Sequence, residues 1–471
     1  MNQNNISAAE LFLRVRELLI LPELEPKTRN KMMHDTLILC CHEGVKETKQ
    51  AFGNLFSQVD YLCKAHGIKV ADKIAIQTMR RHSNSQEPLS SEDLKYDARA
   101  LAIFISAVFG VDVPHELNVL IPHTNRPYQK GLEINNHRIR CIVKNWDSDF
   151  IRVDIDQDAD EEEYLVQLKD EENHIDHTYL WDILKEGMQL NLLDCQVKQP
   201  VITPRLIVVE PDYLVDISSI ATCFTAFGHH PLLYLLNQMK PRANTQATLL
   251  GNFAGAALDD IINTNGKYQM NETIKTNFRE KALEFCTCPW FDAKKFYTDA
   301  SLQAFNLQQV VDILFPRTAS QAQMSAFRGE SLYDRKKAIL EPSFVCEALG
   351  IQGRVDLMTT DCKLLVEQKS GRNMNIETHQ VDPGYHSYQL EPHYVQLLLY
   401  YGVLQHNFKL SNDRVNIRLL YSKYQPQDGL MVVAYYHKLF QEAITYRNQL
   451  VAASFEIAKE GFEHALNEFT P

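Results

Sequence analysis

The stretch that decides the fold reads Gly353-Arg354-Val355-Asp356, then seven residues, then Leu364-Leu365-Val366-Glu367-Gln368-Lys369-Ser370-Gly371. It predicts two apolar strands joined by a short polar turn, with Asp356 on the first strand. A strand repeats every two residues, so the side chains of Glu367 and Lys369 project to the same face. The residues around Glu367 are apolar, which indicates a buried strand, and buried charges need partners or a metal ion.

Two acids and one lysine that converge at strand ends have a chemical use. Carboxylates bind hard divalent cations such as Mg²⁺, and a lysine beside them can contact a nucleophile or a scissile phosphate. This combination is typical of a metal-dependent nuclease. The alternative is that these charges lie on the solvated face of a hairpin, as charges do in many large proteins.

A helix is predicted to follow, beginning after Pro392 in the run His393-Tyr394-Val395-Gln396-Leu397-Leu398-Leu399-Tyr400-Tyr401. Gln396 and Tyr400 are four residues apart and therefore share one face of this helix. They could bind phosphate or orient the lysine and the carboxylates. The alternative is a core helix with a polar fringe.

Taken together, these motifs resemble the RecB-like branch of the PD-(D/E)XK nuclease superfamily in order, spacing and strand–strand–helix context. Four further segments resemble the nuclease half of the flap-trimming DNA replication helicase–nucleases: Leu206–Val215, Ser218–Ala221, Leu249–Phe253 and Tyr446–Leu450. The resemblance covers roughly residues 130–455. It implies an α/β fold with a restriction-endonuclease-like PD-(D/E)XK core.

The resemblance also implies a metal site. Asp356 and Glu367, together with the backbone carbonyl of Gln368, would bind one or two Mg²⁺ or Mn²⁺ ions. Lys369 would position the attacking water or stabilise the pentavalent state of the phosphate. Gln396 and Tyr400 would hold the substrate backbone or the lysine.

Two arginines beside these motifs, Arg354 and Arg372, are candidate DNA-binding residues through contacts with phosphate. The expected partner is DNA, single-stranded or flapped, in replication or repair. The sequence leaves open the choice between DNA and RNA.

The first core helix departs from the family pattern GxxxH, in which the histidine is a metal ligand. Gly251 is present, but Gly255 stands at the position of the histidine. Asp259 lies one turn beyond Gly255 on the same face and could supply a third ligand. Equally, Asp259 and Asp260 could form a solvated patch on an amphipathic helix.

A second departure concerns the iron–sulfur cluster that many flap-trimming relatives carry. His230 stands where the first cysteine ligand is expected, and no cysteine follows Cys362. Cys223 alone cannot bind a cluster, so we predict no iron–sulfur centre. We interpret His229 and His230 as a polar start of a helix rather than as a zinc site.

A third departure is the absence of a Walker A sequence, so the chain carries no motor of its own. It either acts without a motor or forms the N-terminal part of a helicase–nuclease, with a helicase domain or subunit as a partner. Two other interpretations remain: a catalytically degenerate core that binds DNA or scaffolds a partner, and a CRISPR-associated nuclease.

Composition limits the class of protein. The chain has 471 residues, 45% of them hydrophobic, which is enough for two or three domains. The net charge of −12 argues against a surface coated in positive charge but leaves room for a narrow basic channel. No apolar run has the length of a membrane span, and no signal peptide begins the chain. We therefore expect a soluble protein without a membrane partner, intracellular, and cytoplasmic if bacterial.

The chain is predicted to have three parts: a helical region at 1–125, a small OB-like β-barrel at 126–212, and the nuclease core at 213–471. Helices are predicted at 8–19, 31–41, 52–65 and 97–109. Five strands of the barrel are predicted at 137–144, 150–155, 164–169, 188–193 and 205–209. Trp146 is an open candidate for base stacking.

Overall fold

The structure is a computed structural model that describes residues 6–21, 26–48, 50, 52–85, 89–126, 136–156, 163–225, 228–239, 243–264, 267–382, 387–410 and 415–469. The fold is mixed α/β, as the sequence predicts. Two compact units are present: residues 1–213 with 451–471, and residues 214–450. The predicted three-part division stays a prediction. No described helix combines the length and the apolar character that crossing a bilayer requires.

The first unit begins with helices, as expected from the apolar spacing of the sequence. They are α1 (Ala8–Ile20), α2 (Pro26–Val45), α3 (Leu55–Ala65), α4 (Val70–Ser83), α5 (Ser91–Phe109) and α6 (His115–Asn118). A capping box of Ser7 and Glu10 begins α1, and Gly110 ends α5 in the left-handed conformation at φ 65°. Their apolar faces share one buried core. Arg80, Arg81 and His82 lie in the last turn of α4, where positive charge interacts favourably with the helix dipole.

Short strands form the rest of the first unit. They are β1 (Arg138–Trp146), β2 (Phe150–Ile155), β3 (Tyr164–Gln167), β4 (Lys169–Asp170), β5 (Ile175–Asp176), β6 (Gln189–Leu193), β7 (Gln196–Lys198), β8 (Val201–Thr203) and β9 (Leu206–Val209), with a 3₁₀ helix at Thr178–Asp182. Seven of them form one sheet in the order β7-β8-β3-β2-β1-β6-β9. All five predicted strands are present in this sheet.

The seven-stranded sheet contains two strands that the sequence did not predict, β7 and β8, which have only three residues each. Its outer strands β7 and β9 are not paired with each other in the described residues, so the sheet is not closed there. The OB-like barrel is therefore not confirmed. Trp146, our stacking candidate, packs partly buried against the core of the sheet.

The second unit begins with small elements and a helical segment. They are β10 (Val215–Asp216), α7 (Ile217–Ala221), β11 (Phe224–Thr225), β12 (Gly228–His229), α8 (Leu232–Met239), α9 (Gln246–Asn263), α10 (Met270–Glu280), α11 (Ala282–Cys286), α12 (Ala293–Leu314) and α13 (Ala319–Phe327), with a 3₁₀ helix at Arg335–Lys337. The predicted first core helix corresponds to α9.

The strands and helices that carry the predicted motifs follow. They are β13 (Ala338–Leu340), β14 (Ser343–Cys346), β15 (Ile351–Arg354), β16 (Leu357–Thr359), β17 (Leu364–Lys369), α14 (Met374–Thr378), α15 (Glu391–Phe408), β18 (Asn416–Tyr421), α16 (Pro426–Gly429), β19 (Leu430–Val432), α17 (His437–Glu460) and α18 (Phe462–Phe469). From residue 451 onward the chain belongs to the first unit.

A five-stranded sheet in the order β13-β16-β17-β18-β19 forms the centre of the second unit. Strand β17 pairs parallel to β18 and antiparallel to β16. Helices α9 and α12 share a buried core with apolar residues of β16, β17 and β18. Helix α15 also contacts β17 and β18. The end of β17 therefore lies where packed helices can direct side chains toward it.

One expectation was wrong: Asp356 does not lie in a strand. It occupies the short connection between β15 and β16, which belong to different sheets. At this point the backbone is held by the turn between β13 and β14: Val355 N donates to Pro342 O (3.3 Å), and Glu341 N donates to Asp356 O (3.0 Å).

Candidate active site

The last residues of β17 alternate between two polar environments, as a strand requires. Glu367 and Lys369 project to one side, where the Lys369 Nζ donates to the Glu367 Oε1 over 2.8 Å. Gln368 projects to the other side, where its Nε2 donates to the Ser422 Oγ over 2.7 Å. The predicted shared face of Glu367 and Lys369 is confirmed.

Helix α15 contributes a glutamine that joins these two charges. Gln396 Oε1 accepts from Lys369 Nζ (2.8 Å), and Gln396 Nε2 donates to Glu367 Oε1 (2.7 Å). Acid, base and amide thus form a closed triangle of hydrogen bonds. An amide is suited to this position because it has both a donor and an acceptor.

One turn along α15, Tyr400 approaches the strand β15. Its hydroxyl donates to the carbonyl oxygen of Arg354 over 2.6 Å. This approach needs Gly353, because a Cβ at that position would stand 2.9 Å from the Cε1 atom of Tyr400. Burial raises the pKa of Tyr400, so the ring stays a neutral hydrogen-bond donor near neutral pH.

Asp356 is held at the start of β16 by the backbone of β17. Its Oδ2 accepts from the N–H of Gln368 over 2.6 Å. Burial raises the pKa of Asp356, and the hydrogen bond from Gln368 and the charge of Lys369 oppose that rise. This hydrogen bond fixes the Asp356 carboxylate beside Gln368, whose backbone carbonyl is a predicted metal ligand, and close to Glu367.

Glu367 is the most constrained acid of the group, with 3% of its surface exposed. Burial and the neighbouring charge of Asp356 raise its pKa to about 8. Its Oε1 accepts two hydrogen bonds, whereas its Oε2 is buried without a partner among the described residues. A buried carboxylate oxygen without a donor is costly, and a cation would satisfy it.

The first core helix α9 directs small residues and an acid toward this group. A Cβ at Gly251 would lie 3.2 Å from Ser370 Oγ, and a Cβ at Gly255 would meet nothing within 4 Å. Burial, then the charges of Glu341 and Asp356, raise the pKa of Asp259 to about 7. The predicted substitute ligand therefore lies close enough to Asp356 for their charges to repel each other.

Sequence reasoning missed Glu341, which belongs to the same acidic neighbourhood. It follows β13 in the left-handed conformation at φ 48°, and its Oε2 pairs with Arg354 Nη1 at 3.0 Å. Its charge contributes to the raised pKa values of both Asp356 and Asp259. No motif signals it, because only the turn between β13 and β14 places it there.

Sequence reasoning also missed a polar layer beneath the strand. Gln303 of α12 accepts from Ser422 Oγ (2.7 Å) and donates to the carbonyl oxygen of Ser370 (3.1 Å), while Asn306 donates to the carbonyl oxygen of Ser422 (3.0 Å). All three side chains are almost completely buried. Two amides three residues apart within the apolar face of α12 are the signal that could have revealed this layer.

The donors present are those that Mg²⁺ and Mn²⁺ prefer, namely carboxylate and carbonyl oxygens. Among the described residues, no three His, Cys, Asp or Glu side chains form a ready group of ligands around one point. The unpartnered Oε2 of Glu367 is the atom that fits a cation best. Binding would accordingly require Asp356 and Asp259 to reorient toward it.

The two predicted DNA-binding arginines are exposed on the same unit. Arg354 has 61% of its side chain exposed and pairs with Glu341, and Arg372 has 62% exposed and pairs with Glu377 at 2.5 Å. Surface pairs of this kind are weak, so either guanidinium can exchange its partner for a phosphate.

The two histidines before α8, His229 and His230, make different contacts. His230 Nδ1 accepts from the backbone N–H of Leu232 (3.2 Å), which confirms the predicted polar start of a helix. His229 instead contacts two acids, Glu391 Oε2 at 2.6 Å and Glu442 Oε1 at 2.7 Å. Cys223 is buried, and burial raises its pKa to about 12, so the thiol stays protonated.

No protein-family model matches the chain, and a comparison with curated proteins finds no significant match. The function proposed below therefore depends on the contacts of the side chains around β17.

Proposed function

We propose that the chain is a metal-dependent nuclease that hydrolyses phosphodiester bonds in single-stranded or flapped DNA. The observation that carries the proposal is the convergence of Asp356, Glu367, Lys369 and Gln396 at the end of β17, with one oxygen of Glu367 buried and unpartnered in the described part of the chain. Structural carboxylates are normally satisfied by donors, whereas catalytic ones are left to bind a ligand.

The proposed cofactor is Mg²⁺ or Mn²⁺, held by Asp356, Glu367, the carbonyl oxygen of Gln368 and Asp259. When bound, a divalent cation supplies charge neutralisation for the phosphate and a lower pKa for a bound water. It would also favour the ionised form of Glu367, whose pKa burial raises to about 8.

Lys369 is the residue proposed to act on the phosphate. Its Nζ has two acceptors in the structure, Glu367 Oε1 and Gln396 Oε1, and an ammonium group has three donors. The third N–H can bind an oxygen of the phosphate or the attacking water. Gln396 keeps the Nζ in place, and Tyr400 fixes α15 against the backbone of Arg354.

The proposed fold is a PD-(D/E)XK core for the second unit and an OB-like sheet in the first. The central sheet with α9 and α15, and the motifs on β17 and α15, support the first part. The seven-stranded mixed sheet supports the OB-like part of the proposal, in the first unit. A helicase domain or subunit is the proposed partner that would deliver the strand.

A degenerate core that binds DNA without cutting it is the second candidate, and two observations favour it. Gly255 replaces the histidine of the family pattern, and Lys369 neutralises Glu367 directly at 2.8 Å. One observation argues against this second candidate. A core released from catalysis has no reason to retain an acid pair and a lysine in one pocket, as Asp356, Glu367 and Lys369 are retained here.

Cleavage of end-labelled single-stranded and flapped DNA tests the proposal. The purified chain is incubated with Mg²⁺, with Mn²⁺ and with EDTA. We expect products with at least one metal and none with EDTA. Binding of DNA without products under any metal condition would favour the degenerate core, and products that persist in EDTA would contradict the metal dependence.

A further inference from the structure

One aromatic side chain is almost fully exposed to solvent on the turn between α11 and α12. Trp290 is 98% exposed, and its backbone lies in the left-handed region at φ 58°. Residues other than glycine, asparagine and aspartate seldom adopt this conformation. A large indole in such a position is costly to keep in water, and unusual backbone conformations concentrate at ligand sites.

The turn beneath Trp290 is firmly anchored. The ring of Phe291 lies 5.4 Å from that of Phe285 and 5.5 Å from that of Phe296, as measured between centroids. The backbone N–H of Asp292 donates to Gln246 Oε1 over 2.9 Å, and Asp292 Oδ1 accepts from Lys295 N over 3.0 Å. The rings of Phe285, Phe291 and Phe296 pack against one another, and the side chain of Trp290 projects outward from the turn.

Two lysines follow the indole in the chain, after Asp292, whose carboxylate caps α12. Lys294 and Lys295 are exposed in the first turn of α12, and neither makes an ion pair within the residues the structure describes. Lys275, on the same unit, pairs with Glu272 at 2.7 Å. In a chain of net charge −12, two unmatched lysines beside an exposed aromatic ring suit a ligand with negative charge and flat faces.

The turn also lies near the proposed active site. Gln246, which accepts from Asp292 N, is five residues before Gly251 on α9, and a Cβ at Gly251 would lie 3.2 Å from Ser370 Oγ. Five helical residues span about 7.5 Å. Ser370 directly follows Lys369. A strand bound at the turn can therefore continue toward the end of β17.

We propose that Trp290 stacks on a base of single-stranded nucleic acid, with Lys294 and Lys295 contacting its phosphates. Stacking on an aromatic face is tolerant of sequence, and lysines bind the backbone without reading bases. The ligand is the substrate of the proposed nuclease, so the assignment of a substrate strand rests on the proposed function. The binding itself can be measured without cleavage.

The test is the affinity for a fluorescein-labelled oligothymidylate of about 20 nucleotides, longer than the usual site of about 4–16 nucleotides. Binding is followed by anisotropy in EDTA. We expect Trp290→Ala to weaken binding roughly 5- to 150-fold, because the loss of stacking on one base lowers the affinity by about that factor. Trp290→Tyr should recover most of the loss. Phe327→Ala is the matched control, since Phe327 is also an exposed aromatic, 91% accessible, on the same unit.

The salt dependence tests the lysines. Replacing Lys294 and Lys295 by glutamine should make the slope of log affinity against log salt shallower by about 1.4, that is, about 0.7 for each phosphate contact to a single strand. Binding should also quench the tryptophan fluorescence of the unaltered protein, and this quenching should be absent in Trp290→Ala.

The outcomes separate this inference from the proposed function. If Trp290→Ala binds as tightly as the unaltered protein, or if the unaltered protein does not bind the oligonucleotide, the inference is overturned even when DNA is cleaved. If binding depends on Trp290 but no metal supports cleavage, the inference stands and the nuclease proposal fails. An equal loss in Phe327→Ala would also overturn it, since the effect would then follow from any exposed aromatic.

Discussion

In the first unit two partly buried arginines each pair with an acid, whereas the pocket at the end of β17 holds three acids for one lysine. Arg140 contacts Asp212 through both Nη atoms, at 3.1 and 2.9 Å, and Arg80 Nη2 lies 2.5 Å from Asp156 Oδ1. Around β17 the lysine pairs only with Glu367. The carboxylates in excess there are Asp259 and Asp356.

The difference indicates what each group of charges is for. A matched pair satisfies its own desolvation and needs no further ligand. The two acids around β17 that lack a matching base have raised pKa values: burial and the charges of Glu341 and Asp356 raise that of Asp259 to about 7, and burial raises that of Asp356. Such a group is costly until a cation arrives, which is why we propose that the acids around β17 bind one, whereas the matched pairs of the first unit serve stability.

The largest expected effect comes from the lysine of the pocket. Lys369→Ala should reduce the cleavage rate by about 10²–10³-fold, because removal of one preorganised donor to the transition state has that cost. DNA binding should change little and the protein should still fold, although the loss of the partner of the buried Glu367 should lower the thermal unfolding temperature. The measurement is single-turnover cleavage of labelled single-stranded DNA.

Lys337→Ala is the matched control for that change. Lys337 is a half-exposed lysine of the same unit that pairs with Asp361 at 3.1 Å, away from the pocket. Its cleavage rate should equal that of the unaltered protein. Full cleavage by a clean preparation of Lys369→Ala would contradict the catalytic assignment and leave the pocket as a binding site.

The next effect is on stability and belongs to the first unit. Arg80 is 13% exposed, pairs with Asp156, and lies over the ring of Phe56 at 4.9 Å. Arg80→Ala removes the shorter ion pair of the partly buried Asp156 and leaves only the longer contact from Arg81, so the free energy of unfolding should fall by about 2–3 kcal/mol. Arg81→Ala removes a longer and more exposed contact with the same carboxylate, at 3.4 Å, together with a hydrogen bond to the carbonyl oxygen of Asp156, and should cost about 1 kcal/mol.

The tryptophans allow this stability to be measured in one unit. Trp146 and Trp181 lie in the first unit and Trp290 in the second. In a Trp290→Phe background, urea unfolding followed by fluorescence therefore reports the first unit alone. Equal losses for Arg80→Ala and Arg81→Ala would show that the burial of the pair does not determine its contribution.

The same comparison shows what the sequence could predict. The alternation in β17 and the spacing of Gln396 and Tyr400 depend on local geometry, so Glu367 and Lys369 were assigned correctly to one face of the strand, and Gln396 and Tyr400 to one face of the helix. Glu341 and the layer under the strand at Gln303 were missed, because they reach the site through turns and helix packing. Those contacts join residues far apart in the chain, and no local pattern encodes them.

Strand lengths explain the other differences. β7 and β8 have three residues each, too few for an alternating pattern to stand out. Asp356 was placed in a strand because apolar residues flank it on both sides. The chain instead passes there from one sheet to another, which hydrophobic periodicity does not reveal.

A gain of function would sharpen the contrast between the units. Gly255→His creates on α9 the GxxxH pattern of the nucleases that the sequence resembles, and a Cβ there meets nothing within 4 Å. An added imidazole should strengthen a metal site, lowering the half-saturating Mn²⁺ concentration for cleavage on the order of 10-fold. Titration of the cleavage rate with Mn²⁺ measures it.

Ala256→His is the control for the gain, since it adds the same side chain on a different face of α9. It should leave the Mn²⁺ dependence unchanged. A similar improvement in both variants would mean that the histidine acts through general stability of the helix. No improvement in Gly255→His would show that Asp259 already completes the site or that this face of α9 does not reach the cation.

The smallest expected effect concerns a buried group of the first unit that stays neutral. His177 is 5% exposed, and its Nε2 donates to the carbonyl oxygen of Pro204 over 3.2 Å. Burial lowers the pKa of His177 below its usual value. The unfolded chain then binds more protons than the folded one at this position, so the stability from the neutral ring is present at high pH and falls as the pH drops below about 6.5.

His177→Gln removes this titration while keeping an amide donor near Pro204. In the Trp290→Phe background, the urea midpoint of the first unit should fall between about pH 8 and about pH 5. The fall should be smaller in His177→Gln, because one proton-linked destabilising group is gone. The raised pKa of Glu367 has the opposite consequence, since the folded pocket binds a proton that the unfolded chain has lost near neutral pH. If the urea midpoint has the same pH dependence with and without His177→Gln, His177 takes up its proton without opening the sheet.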